Sequence, residues 1–533
     1  MNYTGNIALR KYPVGIQTFE RIIKEGYVYV DKTDLVWKLA HMAPYVFLSR
    51  PRRFGKSLLT TTLESYFQGD KNLFEGLKIM ELEQEWPLFP VMHLDLSTAK
   101  NQGNPDNLRT ALKDILEVYC NRYGVEMDSS TPGQCLKKII TNAFEKESSQ
   151  VVLIIDEYDA PLLDVLHESE RLAQMKEVMQ EFYQPLKACE RMIRFCFLTG
   201  ITRFSQVSIF STLNNIMNVS MHPDFSAICG ITERELTDTM KDDIEQLGQS
   251  LGLSFDEMHA LLKKKYDGYH FSKNSEEIYN PYSLMNCFAQ KDVKNFWFES
   301  GTPSFLFKQM QHFGTDITKL DDIIAPESAF YRPTESLTDA LPLLYQAGYL
   351  TIKDYDPFSQ GYSLKIPNQE VRIGFAEGLL PIYTGLNSGN VQLGCAYKMW
   401  AALRNGDVDQ SLRELKAFLA GVPYVEGFKK KLEEAATREG FYEYTLYLIL
   451  SMLNVYVQTQ VKCWTGRTDM IVYLSDTIYI FEFKVKGSAN EALAQIEEKR
   501  YADRFATDSR KVIKVGVNFD IEKWNIESWA EKE

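Results

Sequence analysis

The sequence predicts an α/β protein: a parallel sheet covered by helices, then a mainly helical middle segment, then a second and smaller α/β domain. Three observations predict this. Short apolar runs alternate with helical text from about residue 40 to 230, turn-broken helical patterns fill about 231–395, and the C-terminal stretch reads helix, strand, strand, helix, strand. The expected domains are 1–230, 231–395 and 396–533, the last with its core at about 432–520. At 533 residues the chain exceeds what one hydrophobic core organises, so several domains are expected on length alone.

The N-terminal strands are YVFLS (45–49), VMHLDLS (91–97), VVLIID (151–156) and RFCFLTG (194–200). They are continuously apolar and do not alternate, as strands buried on both faces of a parallel sheet must be. The middle segment opens on TERELTDTMKDDIEQLGQSLG and is broken by turn signals at Asp267-Gly268 and Asn280-Pro281. Helical periodicity continues over 396–430. Then follow a helix over 441–454, strands over 468–474 and 477–485, a helix over 489–506 and a strand over 512–518.

Composition narrows the function classes. The net charge of −13 argues against holding nucleic acid by bulk electrostatics, so any such site must be local or assisted by metal ions. The eight cysteines are scattered without a CxxC pair, and the seven histidines have no metal-ligand spacing. Reduced, buried thiols are expected, with neither a disulfide framework nor a structural zinc. The N-terminus lacks an apolar leader and no apolar run approaches the roughly 18 residues of a membrane span, so a cytoplasmic protein without a membrane partner is expected.

The strand YVFLS runs into Arg50-Pro51-Arg52-Arg53-Phe54-Gly55-Lys56-Ser57-Leu58 and then into a helix. A phosphate loop needs this order: a buried strand ends, backbone N–H groups curl around the phosphates, and a helix N-terminus faces the anion. Arg53 to Leu58 would form the nucleotide-binding turn, with Lys56 reaching the β- and γ-phosphates and the Ser57 hydroxyl ligating Mg²⁺. Arg50 stands where the first glycine of such a loop ordinarily lies. Downstream, the strand VVLIID ends in Asp156, placed to hold Mg²⁺ through water, and Glu157, placed to polarise the attacking water. RFCFLTG ends in Thr199, a candidate sensor of the γ-phosphate, followed by Thr202 and Arg203. Arg203, Arg52 and Arg53 are candidate transition-state cations.

YVDKT (29–33), RPRRFGKSL (50–58), IIDEYDAPL (154–162), TGITRFSQVSIFSTLNN (199–215) and YNPYSL (279–284) together resemble the AAA-ATPase-like family found widely in bacteria. The resemblance covers roughly residues 8–285 and implies a P-loop NTPase sheet that binds and hydrolyses ATP; in that family Arg is usual at the position of Arg50. The motifs YDGYHF (266–271), WFESGTPSFL (297–306), LLYQAGYLTIK (343–353) and LKIPN (364–368) look like the family's connecting region, a helical lid followed by a small winged-helix-like or α+β unit. Their aromatics read as core.

Near the C-terminus, Asp469 is followed after twelve residues by Glu482-Phe483-Lys484. The two carboxylates would sit on neighbouring strands of a hairpin and converge on Mg²⁺, while Glu482 and Lys484 project from one face. Phosphodiester hydrolysis requires such a set: carboxylates hold a metal that activates water, and a lysine orients or stabilises the nucleophile. Burying Glu and Lys in the apolar run YIFEFKV is costly unless they have partners or a task. The following helix places Gln495 and Lys499 on one face, with Tyr501 nearby.

EGFYEY (439–444) through GRTDMIVYLSDTIYIFEFKV and ALAQIEEKRY to VGVNFD resembles the PD-(D/E)XK nuclease superfamily. That resemblance implies a restriction-endonuclease-like core in which Asp469 and Glu482 are metal ligands, Lys484 is the catalytic lysine, Glu439 is an auxiliary acid on the first helix and Gln495 lines the site. Where relatives often carry a further acid, the preceding strand has Gln458 or Gln460. The expected function is an ATPase coupled to a metal-dependent nuclease acting on DNA in preference to RNA, with ATP and Mg²⁺ as cofactors. A homo-oligomer is left open. The alternative reading is a nucleotide-dependent switch or scaffold that keeps a weak or inactive nuclease fold.

Overall fold

The computed structural model describes residues 10–86, 88–99, 103–127, 130–163, 165–166, 168–202, 216–299, 304–321, 323–331, 337–384, 389–422, 438–452, 456–463, 466–485, 487–520 and 522–533. Two compact units emerge. One is formed by the chain up to Trp297 together with Ile324–Asn368, the other by Phe298–Ile323 with Gln369–Glu533.

In the first unit β1 (Tyr45–Ser49), β2 (Val91–Asp95), β3 (Val151–Asp156), β4 (Ile193–Gly200) and β5 (Met217–Asn218) form a sheet in the order β2-β3-β4-β1-β5, parallel throughout. Every residue of β3 is buried, which is why its sequence runs apolar without alternation. On one face, Cys196 and Leu198 of β4 join a cluster with Leu112, Ile139 and Phe182 from the helices Pro105–Tyr123, Pro132–Glu147 and Ser169–Ala188. On the other face, Phe195 of β4 meets Phe67 from the helix Lys56–Phe67. β4 lies between β1 and β3, so Thr199 stands between the C-terminal ends of the strands that carry the phosphate loop and Asp156.

The expected middle domain over 231–395 is divided between the two units. The short strands β6 (Ile231–Thr232) and β7 (Ile278–Tyr279) pair, and the helices Glu233–Leu251, Phe255–Tyr266 and Pro281–Gln290 share a core against which Tyr12, Val28 and Val30 pack. Capping boxes at Thr232/Glu235 and Ser254/Glu257 start the first two of these helices, as their sequences dictate. β8 (Ile323–Pro326), β9 (Thr351–Asp356) and β10 (Gly361–Lys365) form a small sheet in the order β8-β10-β9.

The second unit carries β11 (Tyr456–Cys463), β12 (Gly466–Tyr473), β13 (Thr477–Lys484), β14 (Lys511–Asp520) and β15 (Asn525–Lys532), hydrogen-bonded in chain order. β13 and β14 run parallel and are joined through the helix Ala489–Glu498; the other pairs are antiparallel. The expected helix over 489–506 stops at Glu498, where Arg500 turns to φ 55°, and only a 3₁₀ turn at Asp503–Phe505 follows. The helical periodicity over 396–430 falls on two helices, Gly389–Arg404 and Val408–Ala420, separated by Gly406 at φ 75° and the capping residue Asp407, with 423–430 outside the described residues. No helix among the described residues is long and apolar enough to cross a membrane. The described cysteines are free and buried.

Candidate functional site

The loop after β1 has the backbone a phosphate site requires. Gly55 takes φ 92° and caps the helix that starts at Lys56, and no heavy atom lies within 4 Å of where its Cβ would be. That left-handed conformation and open side favour glycine. Arg53 is also left-handed, at φ 67°, and its guanidinium lies 4.5 Å from the Tyr282 ring centroid. Phe54 is fully buried, edge-on to Tyr269 and Phe271 at 4.7 and 5.3 Å. Lys56 is buried, and its Nζ donates to the carbonyls of Arg50 and Pro51 at 3.2 Å each, 4.0 Å from a Glu157 oxygen. The first turn is tied internally, the Leu58 carbonyl accepting from the hydroxyls of Thr61 and Thr62.

Asp156, at the buried end of β3, faces this helix. Burial raises its pKa, opposed by a hydrogen bond from Ser57 and by the charge of Lys56. Thr60 also donates to it, at 3.5 Å. The Asp156 carboxylate accepts the backbone N–H of Glu157 at 2.9 Å, and Glu157 turns to φ 51°, which leaves its carboxylate on the Lys56 side. A hydroxyl and a carboxylate beside a buried amine at a helix N-terminus suit a nucleotide's phosphates and its magnesium.

Thr199 is fully buried and donates its hydroxyl to the Leu48 carbonyl of β1 at 2.8 Å. Arg203 lies outside the described residues. The strongest polar anchor near Thr199 is one that sequence reading did not single out. Asp159 is fully buried and accepts from the backbone N–H groups of Ile201 and Thr202 and from the Thr202 hydroxyl, at 3.1, 2.6 and 2.7 Å. Burial, reinforced by Glu157, lifts its pKa to about 6. Gly200 must be glycine here, because a Cβ would lie 2.3 Å from the Asp159 carboxylate. The IIDEYD motif thus spends its last acid on fixing the exit of β4.

In the second unit the hairpin β12–β13 brings the C-terminal set together. Met470 pairs with Phe481, and beyond that point the ladder opens: the Phe483 N–H is bound by the Asp469 carboxylate at 2.8 Å. Glu482 is buried. Gln495 bridges it to the lysine, its amide donating to Glu482 and its oxygen accepting from Lys484 Nζ at 2.6 Å; Lys484 stands 3.8 Å from Glu482. The close approach of Gln495's helix rests on Gly516, the register partner of Glu482, where a Cβ would lie 2.2 Å from the Ala489 carbonyl.

The helix Arg438–Met452 of this unit contributes a residue that sequence reading passed over. Glu443 is buried, accepts from Gln460 at 2.7 Å, and has its other oxygen without a hydrogen-bond partner. Burial pushes its pKa to about 8, with the nearby negative charges of Asp469 and Asp316 adding to the shift. The side chain of Glu439, one turn earlier, lies outside the described residues. Both acids occur in EGFYEY; the signal that separates them is that Glu443 sits next to buried Tyr442 and one turn before buried Tyr447. Gln460 is left-handed at φ 51°, and it and Asp469 form the one gap in an otherwise continuous β11–β12 ladder. Gln458 instead accepts from Tyr473. Tyr501 donates to the Arg467 carbonyl, while Lys499 ends the helix as its C-cap. Among the described residues no three His, Cys, Asp or Glu side chains converge as a ready-made metal cage. A magnesium ion held by Asp469 and Glu482 would take its remaining oxygens from water and substrate.

A family model described as a predicted AAA-ATPase matches residues 13–210, and one for the PD-(D/E)XK nuclease superfamily matches 437–529. The chain is 31% identical over 519 residues to an "uncharacterized protein in vnfD 5′ region" of Azotobacter chroococcum mcd 1, covering 96% of each chain. No solved structure matches.

Proposed function

The chain belongs to the family of predicted AAA-ATPases that also carry a PD-(D/E)XK nuclease-superfamily domain, and from that premise we propose an ATP-dependent, metal-dependent nuclease acting on DNA. A nucleotide-binding module joined to a nuclease-type domain follows from the family, and ATP coupling and action on DNA go beyond it. One observation carries it: each of the two phosphate-chemistry constellations is assembled, Lys56 with Ser57, Asp156 and Glu157, and Asp469 with Glu482, Lys484 and Gln495.

At the nucleotide site Lys56 exchanges loop carbonyls for β- and γ-phosphate oxygens, and Glu157 orients the attacking water. Ser57 and Asp156 would hold magnesium, which supplies charge neutralisation between the phosphates when bound. In the nuclease site Asp469 and Glu482 would hold the metal. Lys484, kept within reach by Gln495, orients the nucleophile or screens the charge developing on the phosphate. Glu443, hydrogen-bonded by Gln460, supplies an acid at the edge of the site. ATP gates cleavage in this reading. The deciding assay is cleavage of labelled linear, circular and single-stranded DNA in Mg²⁺ or Mn²⁺, with and without ATP, using Lys484→Ala as control. Cleavage that disappears in the variant and responds to ATP is expected. ATP turnover without cleavage of any substrate would favour the nucleotide-dependent switch.

A further inference from the structure

Arg50 occupies the place of a glycine in the phosphate loop, and its surroundings assign it a task of its own. Its side chain is 1% exposed. The guanidinium donates to the carbonyls of Ser49, Ser220 and Phe225 at 2.9, 2.7 and 2.9 Å, and it lies 4.2 Å from the centroid of Phe271. A charge buried this deeply is tolerated only because backbone carbonyls and an aromatic face replace its water. The acceptors come from both sides of the loop, one at the end of β1 and two on the segment after β5.

The rest of the loop is braced by the same neighbours. Phe54 packs edge-on against Tyr269 and Phe271, so the YDGYHF motif forms its back wall. Trp297 donates its indole N–H to the Arg52 carbonyl at 3.1 Å, and Gly348 makes room for Pro51, which a Cβ there would approach to 2.7 Å. The Arg50 carbonyl itself accepts from Lys56. In the usual loop a glycine lets the backbone bend freely; here an immobilised arginine determines the bend from behind.

We propose that Arg50 is a positioning residue that preforms the phosphate loop, through its carbonyl contacts and its stacking on Phe271, and that restoring the usual glycine weakens nucleotide binding. This rests on the nucleotide-site reading above. Because the loop embraces the phosphates common to ADP and ATP, both affinities fall by the same factor when the brace is lost. A residue that acted on the γ-phosphate would affect ATP alone.

The test is fluorescence titration of the full chain with mant-ATP and mant-ADP in Mg²⁺, with circular dichroism melting to verify the fold. Arg50→Gly is expected to weaken both ligands at least about tenfold and to the same extent, since it removes the guanidinium's hydrogen bonds to the Ser49, Ser220 and Phe225 carbonyls and frees the loop. Phe271→Leu, which keeps the apolar filling and removes only the ring, is expected to weaken both about threefold. Affinity of Arg50→Gly equal to wild type would overturn the proposal, as would a loss confined to mant-ATP. If Arg50→Gly does not fold, Phe271→Leu decides, and unchanged affinity there overturns the proposal. Wild-type protein that binds neither nucleotide would instead remove the nucleotide reading on which the proposal stands.

Discussion

The N-terminal site sets one buried amine, Lys56, among backbone carbonyls beside the carboxylates Asp156 and Glu157. The C-terminal site differs in its amine: the acids Glu482 and Glu443 are buried, as Asp156 is, and Lys484 is the more exposed partner. In the proposed function the difference follows from what each site would attract. A nucleotide brings its own negative charge, so its site offers a cation and a helix N-terminus. A metal ion brings positive charge, so its site stores carboxyls, and burial raises the pKa of at least one of them. In one site the buried amine faces loop carbonyls and carboxylates, and in the other Gln495 bridges the buried acid Glu482 to Lys484.

Lys56→Ala is the largest single perturbation of that contrast. ATP turnover is expected to fall by roughly a hundredfold or more, because the buried amine that contacts the loop carbonyls is removed from the phosphates. Asp469→Ala tests the other half. Cleavage is expected to drop by roughly a hundredfold or more while turnover stays intact. Loss of turnover with cleavage retained would reverse the division of labour. Glu443→Gln comes next: metal-dependent cleavage is expected to fall about tenfold, with turnover unchanged, since a supporting carboxyl is lost while its shape is kept. Cleavage at the wild-type rate would mean that the neutral acid only fills space.

The two sites were not equally legible. The Lys56–Ser57 turn, Asp156 and Glu157 stand at strand ends whose apolar runs announce them, and Glu482 and Lys484 share one strand with a spacing that fixes their common face. Local rules suffice there. Arg50, Asp159 and Glu443 were legible as residues and not as contacts, because each acts through a partner distant in sequence: Phe225 and Phe271, Thr202, and Gln460. β15 escaped notice for a related reason. It is an edge strand whose exposed, charged text lacks the apolar run that marks β13 and β14. Glu439 and Glu443 fit the same helical text; the Gln460 hydrogen bond and the buried neighbours Tyr442 and Tyr447 show that Glu443 turns inward.

The smallest expected effect concerns the wall behind the phosphate loop, and it asks whether the N-terminal unit also stores a misplaced proton. Asp267 of YDGYHF is 1% exposed. Burial, aided by the charges of Glu277 and Glu233 and opposed by the backbone N–H of Gly268 and by Lys263, raises its pKa to about 7. In the unfolded chain it ionises near 4. Between those values the folded state holds the extra proton, so this group's contribution to stability declines as pH rises from about 4 to about 7, and its penalty is complete above that. Asp267→Asn removes the ionisation. Its melting temperature is expected to exceed that of wild type by roughly 2 °C or more at pH 8, with the difference shrinking toward pH 4. Thermal melts of both proteins across that range check it. A variant less stable than wild type at pH 8 would show that the carboxylate is ionised and paired in the fold, and the two sites would then differ in where they keep a neutral acid: beside Asp469 and nowhere behind the loop.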